Sequence, residues 1–191
     1  MKSVVDPKTW IAQWIAHEAA GEYRHPLIYL AHPVAPRTGE TLAWCTHCKA
    51  EATYTLSEPL DLRRVCDHDD PVRHTEDPAA IVAYNLRRAI RWWKWYANTL
   101  TEAVFLMPWY VNVTANGEAD PAKIERGLRD DCATVMRCDA LIHNGPRISS
   151  GMAREARAAY EVGNAVFQVK GIHGEPPHIS AFDVPWIEVH E

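Results

Sequence analysis

With 191 residues, 47% of them hydrophobic and 24% charged, the chain can bury a real core as one domain with a modest insertion, and it does not read as disordered. A formal net charge of −5 argues against bulk attraction to nucleic acid, so an anionic partner has to meet a local basic pocket. No stretch approaches the roughly 20 apolar residues of a membrane span, the amino end lacks a signal-like apolar run, and five cysteines read as reduced thiols or metal ligands in a cytoplasmic protein.

Residues 7–20 read as a helix, with Asp6 as cap, Pro7 at the first helical position, and Trp10, Trp14 and His17 on one stripe. The apolar run Leu27–Ala31 reads as the first and central strand. Its exit loop carries His32, Arg37 and Gly39, which are candidates to meet a sugar or a phosphate. A loop histidine is by default solvated. Next comes Cys45-Thr-His-Cys48 and, after 17 residues, Cys66-Asp-His68, with a β-like run at 52–56 between them. Cys45, Cys48, Cys66 and His68 fit one tetrahedral structural zinc ion, which would give shape to a polar segment without a core of its own. The other reading is ordinary loop cysteines beside coincidental histidines.

The longest helix starts at Asp77-Pro78, with Asp77 as cap. Val82, Leu86, Ala89, Ile90, Trp93, Ala97 and Leu100 give it an apolar stripe. Arg87, Arg88, Arg91 and Lys94 read as a solvated basic face, and Trp92 and Trp95, left off the stripe, as an oligomer contact. A second strand over 103–107 ends near Trp109, an aromatic placed either to stack on a base or to close the core. A helix over 121–137 turns Ile124, Leu128, Cys132 and Val135 inward, and a buried strand follows at 140–143. The loop Asn144-Gly-Pro-Arg147-Ile-Ser149-Ser150-Gly151 then leads into a helix carrying Glu155, with a strand over 162–169 and a short last segment over 182–189. Loops at the carboxyl ends of strands are where open α/β sheets hold ligands, and a helix start there offers N–H groups to an anion. A surface glutamate favoured by the helix dipole is the plainer reading of Glu155.

Ser149-x-Gly151-x-x-x-Glu155, after a strand opening at Asp139, resembles the signature loop of the nucleoside 2-deoxyribosyltransferase superfamily, which includes the 2'-deoxynucleoside 5'-phosphate N-hydrolases. Ile28-Tyr29-Leu30-Ala31 resembles its first strand, Asp131 its helix-borne acid, and Ser180 the residue lent to a neighbouring subunit's site. The resemblance covers residues 27–34 and 79–182. It implies a flavodoxin/Rossmann-like three-layer α/β sandwich with a parallel five-stranded sheet; the helix in 1–26 is an addition to that pattern, and residues 41–76, read as a zinc-ribbon-like insertion, depart from it.

The resemblance also implies chemistry. Glu155 is the expected nucleophile at C1', Asp131 the acid or base, and Tyr29 the partner of Glu155 or of the sugar. Transferases of the family place an acid where this chain has Ser149. Ser149 and Ser150, with Arg147, Gly151, His32, Trp109 and a partner's Ser180, instead suit a nucleoside 5'-monophosphate. The expectation is therefore an N-glycosidase working as a homo-oligomer without an organic cofactor. Base exchange by a transferase and a non-catalytic nucleotide sensor are the alternatives.

Overall fold

The computed structural model describes residues 7–18, 25–55, 72–116, 120–145, 147–169 and 186–188. Two compact units divide the chain, one of residues 1–33 and 90–191, the other of residues 34–89. The second unit is wider than the insertion expected over 41–76, taking in the exit loop and the amino-terminal half of a helix.

The larger unit is built on a sheet. Strands β1 (Leu27–Ala31), β5 (Val104–Leu106), β6 (Ala140–Asn144) and β7 (Ala165–Val169) run parallel in the order β5-β1-β6-β7. The short strand β8 (Trp186–Glu188) pairs antiparallel with β7. The expected five-stranded parallel sheet is thus parallel over four strands only. β1 is apolar throughout and β6 opens with Ala140-Leu141-Ile142, and nearly all residues of both are buried, because a parallel strand covered on both faces has no solvent side to alternate with. Asp139 fixes how these two strands start: its carboxylate accepts from Leu27 N at 2.8 Å, and its own N–H donates to Leu27 O at 2.8 Å.

One face of the sheet packs Ile28, Leu30, Ala140, Ile142, Phe167 and Val169 against Ile11 of α1 (Pro7–Glu18) and against Trp92, Tyr96 and Leu100 of α2 (Pro78–Thr99). Each such large apolar side chain, fully buried, contributes about 1.5–3 kcal/mol. The face of α2 that does this is not the expected stripe. Trp92 is 0% exposed and Trp93 38% exposed, while Asn85 and Arg88 lie on the buried side. The buried set Ile81, Tyr84, Asn85, Arg88, Ala89, Trp92, Tyr96 and Leu100 keeps the helical period but is rotated by about one residue from the stripe read off the sequence. Trp92 is therefore core rather than an oligomer contact, and Arg88 is no part of a solvated basic face.

The other face of the sheet meets α5 (Ser150–Glu161), which packs with α4 (Pro121–Val135). Asp120 caps α4, accepting from Ala122 N and Lys123 N with Pro121 at the first turn. Arg154 of α5 holds Glu125 of α4 in a two-pronged ion pair at 2.8 and 2.9 Å. The two helices come close at Gly151, where an added Cβ would lie 3.0 Å from Leu128 Cδ2. Between β5 and α4 the expected strand end is instead a short helix, α3 (Pro108–Asn116), which proline opens because its missing N–H costs nothing at a first turn.

The smaller unit holds the antiparallel strands β2 (Thr41–Cys45), β3 (Glu51–Tyr54) and β4 (Val72–Thr75) in the order β3-β2-β4. Leu42, Ile81 and Tyr84 form its small core. A tight turn joins β2 to β3: Cys45 N donates to Ala50 O at 2.9 Å, Lys49 N to Cys45 O at 3.2 Å, and Lys49 takes the left-handed φ of 62°. Arg87 clamps Glu51 at 2.7 and 3.3 Å, and Asn85 Nδ2 donates to Val34 O at 2.8 Å. No described helix is long and apolar enough to cross a membrane.

Candidate active site

The chain leaves β1 for β5 on one side and returns to β6 on the other, so the sheet's topological switch lies between β1 and β6. At such a switch the loops from adjacent carboxyl ends diverge and leave a crevice, which is where open α/β sheets place ligands. Three sequence-expected residues come together between β1, α4 and α5. Tyr29 of β1 donates its hydroxyl hydrogen to Glu155 Oε1 of α5 at 2.9 Å. Both side chains are buried, Glu155 being 4% exposed. Asp131, near the end of α4, is also 4% exposed, and its Oδ1 has no hydrogen-bond partner.

Keeping two carboxyls from water disfavours their charged forms. Burial pushes Glu155 up to about 8, with Asp131's charge adding to the rise and the Tyr29 hydroxyl opposing it. Burial pushes Asp131 up to about 6, with Asp130 adding to the rise and Tyr29 and Asn112 opposing it. Tyr29 is itself held well above the ordinary phenol range, first by burial and then by the charges of Glu155 and Asp131, so it stays a hydroxyl donor. Two carboxyls with different affinities around one phenol can hold a single proton between them near neutral pH. One then serves as a nucleophilic anion while the other serves as an acid.

The loop after β6 leads into α5 as expected. Ser149 caps α5, its Oγ accepting from Met152 N at 3.3 Å. Ser150 is exposed at the first helical position, and Arg147 is half-buried in the loop. Gly151 keeps α5 close to Leu128, so the fold itself already requires a small residue there. His32, a candidate to meet the sugar or the phosphate whose default reading was a solvated loop residue, is buried. Trp109 is buried too, and its indole N–H donates to Leu30 O at 2.7 Å, which makes it the closing member of a core rather than an exposed platform for a base. Ser180 lies outside the described residues.

The metal reading divides in the same way. Cys45 ends β2 and is buried, and Cys48 is exposed in the turn that follows. Cys66 and His68 lie outside the described residues, among which no three potential ligands converge.

Three site residues escaped the sequence reading. His143 of β6 is buried, pairs through Nε2 with Met152 O at 3.1 Å and is pushed down to about 4 by burial. It is a neutral brace for the first turn of α5, not a base. Asn112 of α3 acts on Asp131, and its side chain lies against Gly127. Asn144 ends β6 wholly buried. A polar residue at the carboxyl end of an otherwise apolar strand was the available signal for His143 and Asn144. Asn112 had none. Comparison with protein-family models, with curated proteins and with solved structures finds no match.

Proposed function

We propose that this protein is an N-glycosidase that hydrolyses the base–sugar bond of a nucleoside 5'-monophosphate. The observation that carries the reading is the buried trio: Glu155 held by the Tyr29 hydroxyl at 2.9 Å, with Asp131 beside it presenting an unpartnered oxygen. Burying two carboxyls costs folding free energy, and clefts that tolerate such perturbed acids are enriched in active sites. The resemblance to the nucleoside 2-deoxyribosyltransferase superfamily points the same way. So does the strand order β5-β1-β6-β7, which is the order of a flavodoxin-type doubly wound sheet and supports the three-layer reading.

In this reading substrate binding moves the shared proton from Glu155, which keeps it in the free site, to Asp131; the Glu155 carboxylate then attacks C1', and the C1'–N bond breaks with its electron pair going to the base nitrogen. Asp131 supplies the proton that the departing base takes. The glycosyl ester on Glu155 then meets water. Asp131, now an anion, takes a proton from that water as its oxygen bonds to C1' and Glu155 leaves. Free base and sugar 5-phosphate are the products, and both carboxyls return to their starting states. Tyr29 orients Glu155 throughout. Ser149, a hydroxyl where an acid would repel the phosphate, together with Ser150, Arg147 and the start of α5, favours a phosphorylated substrate over a free nucleoside.

The test is a panel of nucleoside 5'-monophosphates, with free nucleosides alongside, assayed for released base. Wild type should release base from at least one monophosphate faster than from its nucleoside, and Glu155→Ala should lose this by several orders of magnitude while still folding. Near-normal turnover by Glu155→Ala removes the nucleophile assignment. Base exchange faster than hydrolysis would make the protein a transferase, and nucleotide binding without turnover would make it a sensor.

A further inference from the structure

Asn144 is the last residue of β6 and is 0% exposed. Its Oδ1 accepts from the Tyr96 hydroxyl at 2.8 Å, whereas its Nδ2 is buried with no hydrogen-bond partner. Tyr96 cannot swing away. It is wholly buried and stacked between Trp92 (ring centroids 5.8 Å apart) and Phe105 (5.3 Å). The amide is therefore held rigidly by one end, with its donor end unused. Gly145 turns the chain immediately afterwards with φ 90°, its N–H tied to Val169 O and its carbonyl to Gln168 Nε2.

A buried donor without a partner destabilises the fold, and proteins rarely keep one unless something else satisfies it. This one stands at the carboxyl end of β6, at the switch between β1 and β6 where a ligand is expected. It directly precedes the loop that leads to Ser149 and α5, whereas the acid assigned to the leaving base is on α4. We propose that Asn144 determines substrate binding by donating its Nδ2 hydrogen to an oxygen of the sugar–phosphate portion. The inference rests on the nucleotide-glycosidase reading of the site and adds to it a second recognition point, independent of the carboxyl pair. An amide nitrogen is a donor only, so its partner is an acceptor: a sugar oxygen or a phosphate oxygen.

The experiment measures binding by calorimetry of four ligands: a deoxypyrimidine 5'-monophosphate, a deoxypurine 5'-monophosphate, the matching pyrimidine nucleoside and 2-deoxyribose 5-phosphate. The paired variant Asn144→Leu/Tyr96→Phe replaces both partners by apolar groups of similar shape, a change that leaves stability nearly intact. It should melt near wild type yet bind both monophosphates and the base-free sugar phosphate about ten-fold or more weakly. Asn144→Asp keeps the acceptor for Tyr96 but replaces the donor with an oxygen, so it should lose at least as much, and it serves if the paired variant does not fold. A loss that extends to the nucleoside assigns a sugar oxygen, and a loss confined to phosphorylated ligands assigns a phosphate oxygen. Unchanged binding of all four, or a loss confined to base-bearing ligands, overturns the inference. A wild type that binds none of the four overturns the substrate reading and this inference with it. A wild type that binds but releases no base overturns catalysis alone, and the variants still decide the role of Asn144.

Discussion

Glu155 and Asp131 are carboxyls kept from water near one phenol, and their protonation ties the site to the stability of the fold. Each has its proton affinity raised by burial, Glu155 to about 8 and Asp131 to about 6. A carboxyl that binds its proton more tightly folded than unfolded favours the folded state at low pH. That advantage is lost as the pH climbs from the ordinary carboxylate range to the folded value, because the native protein must then bury a charge. Stability should therefore fall between about pH 5 and pH 8, on the order of a few kcal/mol in all for Glu155. Glu155→Gln keeps the shape and a partner for Tyr29 but cannot ionise. Melting temperatures recorded from pH 5 to pH 9 should decline less steeply for this variant, which should exceed wild type above pH 8. Parallel curves for the two proteins would show that Glu155 is not held protonated.

At the scale of elements, the hairpin of β2 and β3 carries the metal proposal. The turn that returns Cys45 N–H to Ala50 O folds Cys48 back toward the end of β2, and Lys49 adopts a left-handed conformation to do so. A Cys-x-x-Cys pair in such a turn is the sequence pattern of half a tetrahedral site. If Cys66 and His68 supply the rest, protein purified without added metal should contain about one zinc ion per chain, and a strong chelator should lower its melting temperature. A metal-free preparation that is well folded would sink the site. Elements were legible in the sequence wherever one period dominated. The apolar runs Leu27–Ala31 and 140–142 gave strands, and the Asp120-Pro121 start of α4 and the Ser149 cap of α5 fall where turn chemistry puts them. The phase of α2 was not legible. Tryptophans at 92, 93 and 95 supply apolar surface in several directions, and the packed face includes Asn85 and Arg88, which a hydrophobic stripe leaves out. The antiparallel β8 was hidden for a different reason: strand direction is set by the path of the chain, not by the residues of the strand.

For the whole molecule, the candidate-site residues could be proposed from the sequence where spacing along one segment singled them out, as for Glu155 and Ser149. Tyr29 and Asp131 came through resemblance. Asn144, His143 and Asn112 acquire meaning only from partners that folding brings to them, such as Tyr96 and Met152. We propose that the molecule also assembles with copies of itself. An excess of tryptophan does not argue for it, since Trp92 is buried in its own unit and Trp10 and Trp95 pack against the same core. The argument rests on surface and chemistry instead. Strand β5 is an edge of the sheet, Val104 on it is 44% exposed, and Trp93 beside it is exposed while donating to Phe105 O at 3.2 Å. An edge strand with apolar neighbours is a surface that a second copy commonly covers. The family resemblance carries the expectation that Ser180 would serve the neighbouring subunit's site. We therefore expect a homo-oligomer, at least a dimer, with shared sites. Glu155→Ala chains and Ser180→Ala chains should each be impaired alone, and mixing them after partial unfolding should restore activity, because a hybrid carries one site with both residues intact. Light scattering should find no active monomer. Full activity in a demonstrated monomer, or no recovery in hybrids whose mixing is verified by mass, would show that each chain completes its own site.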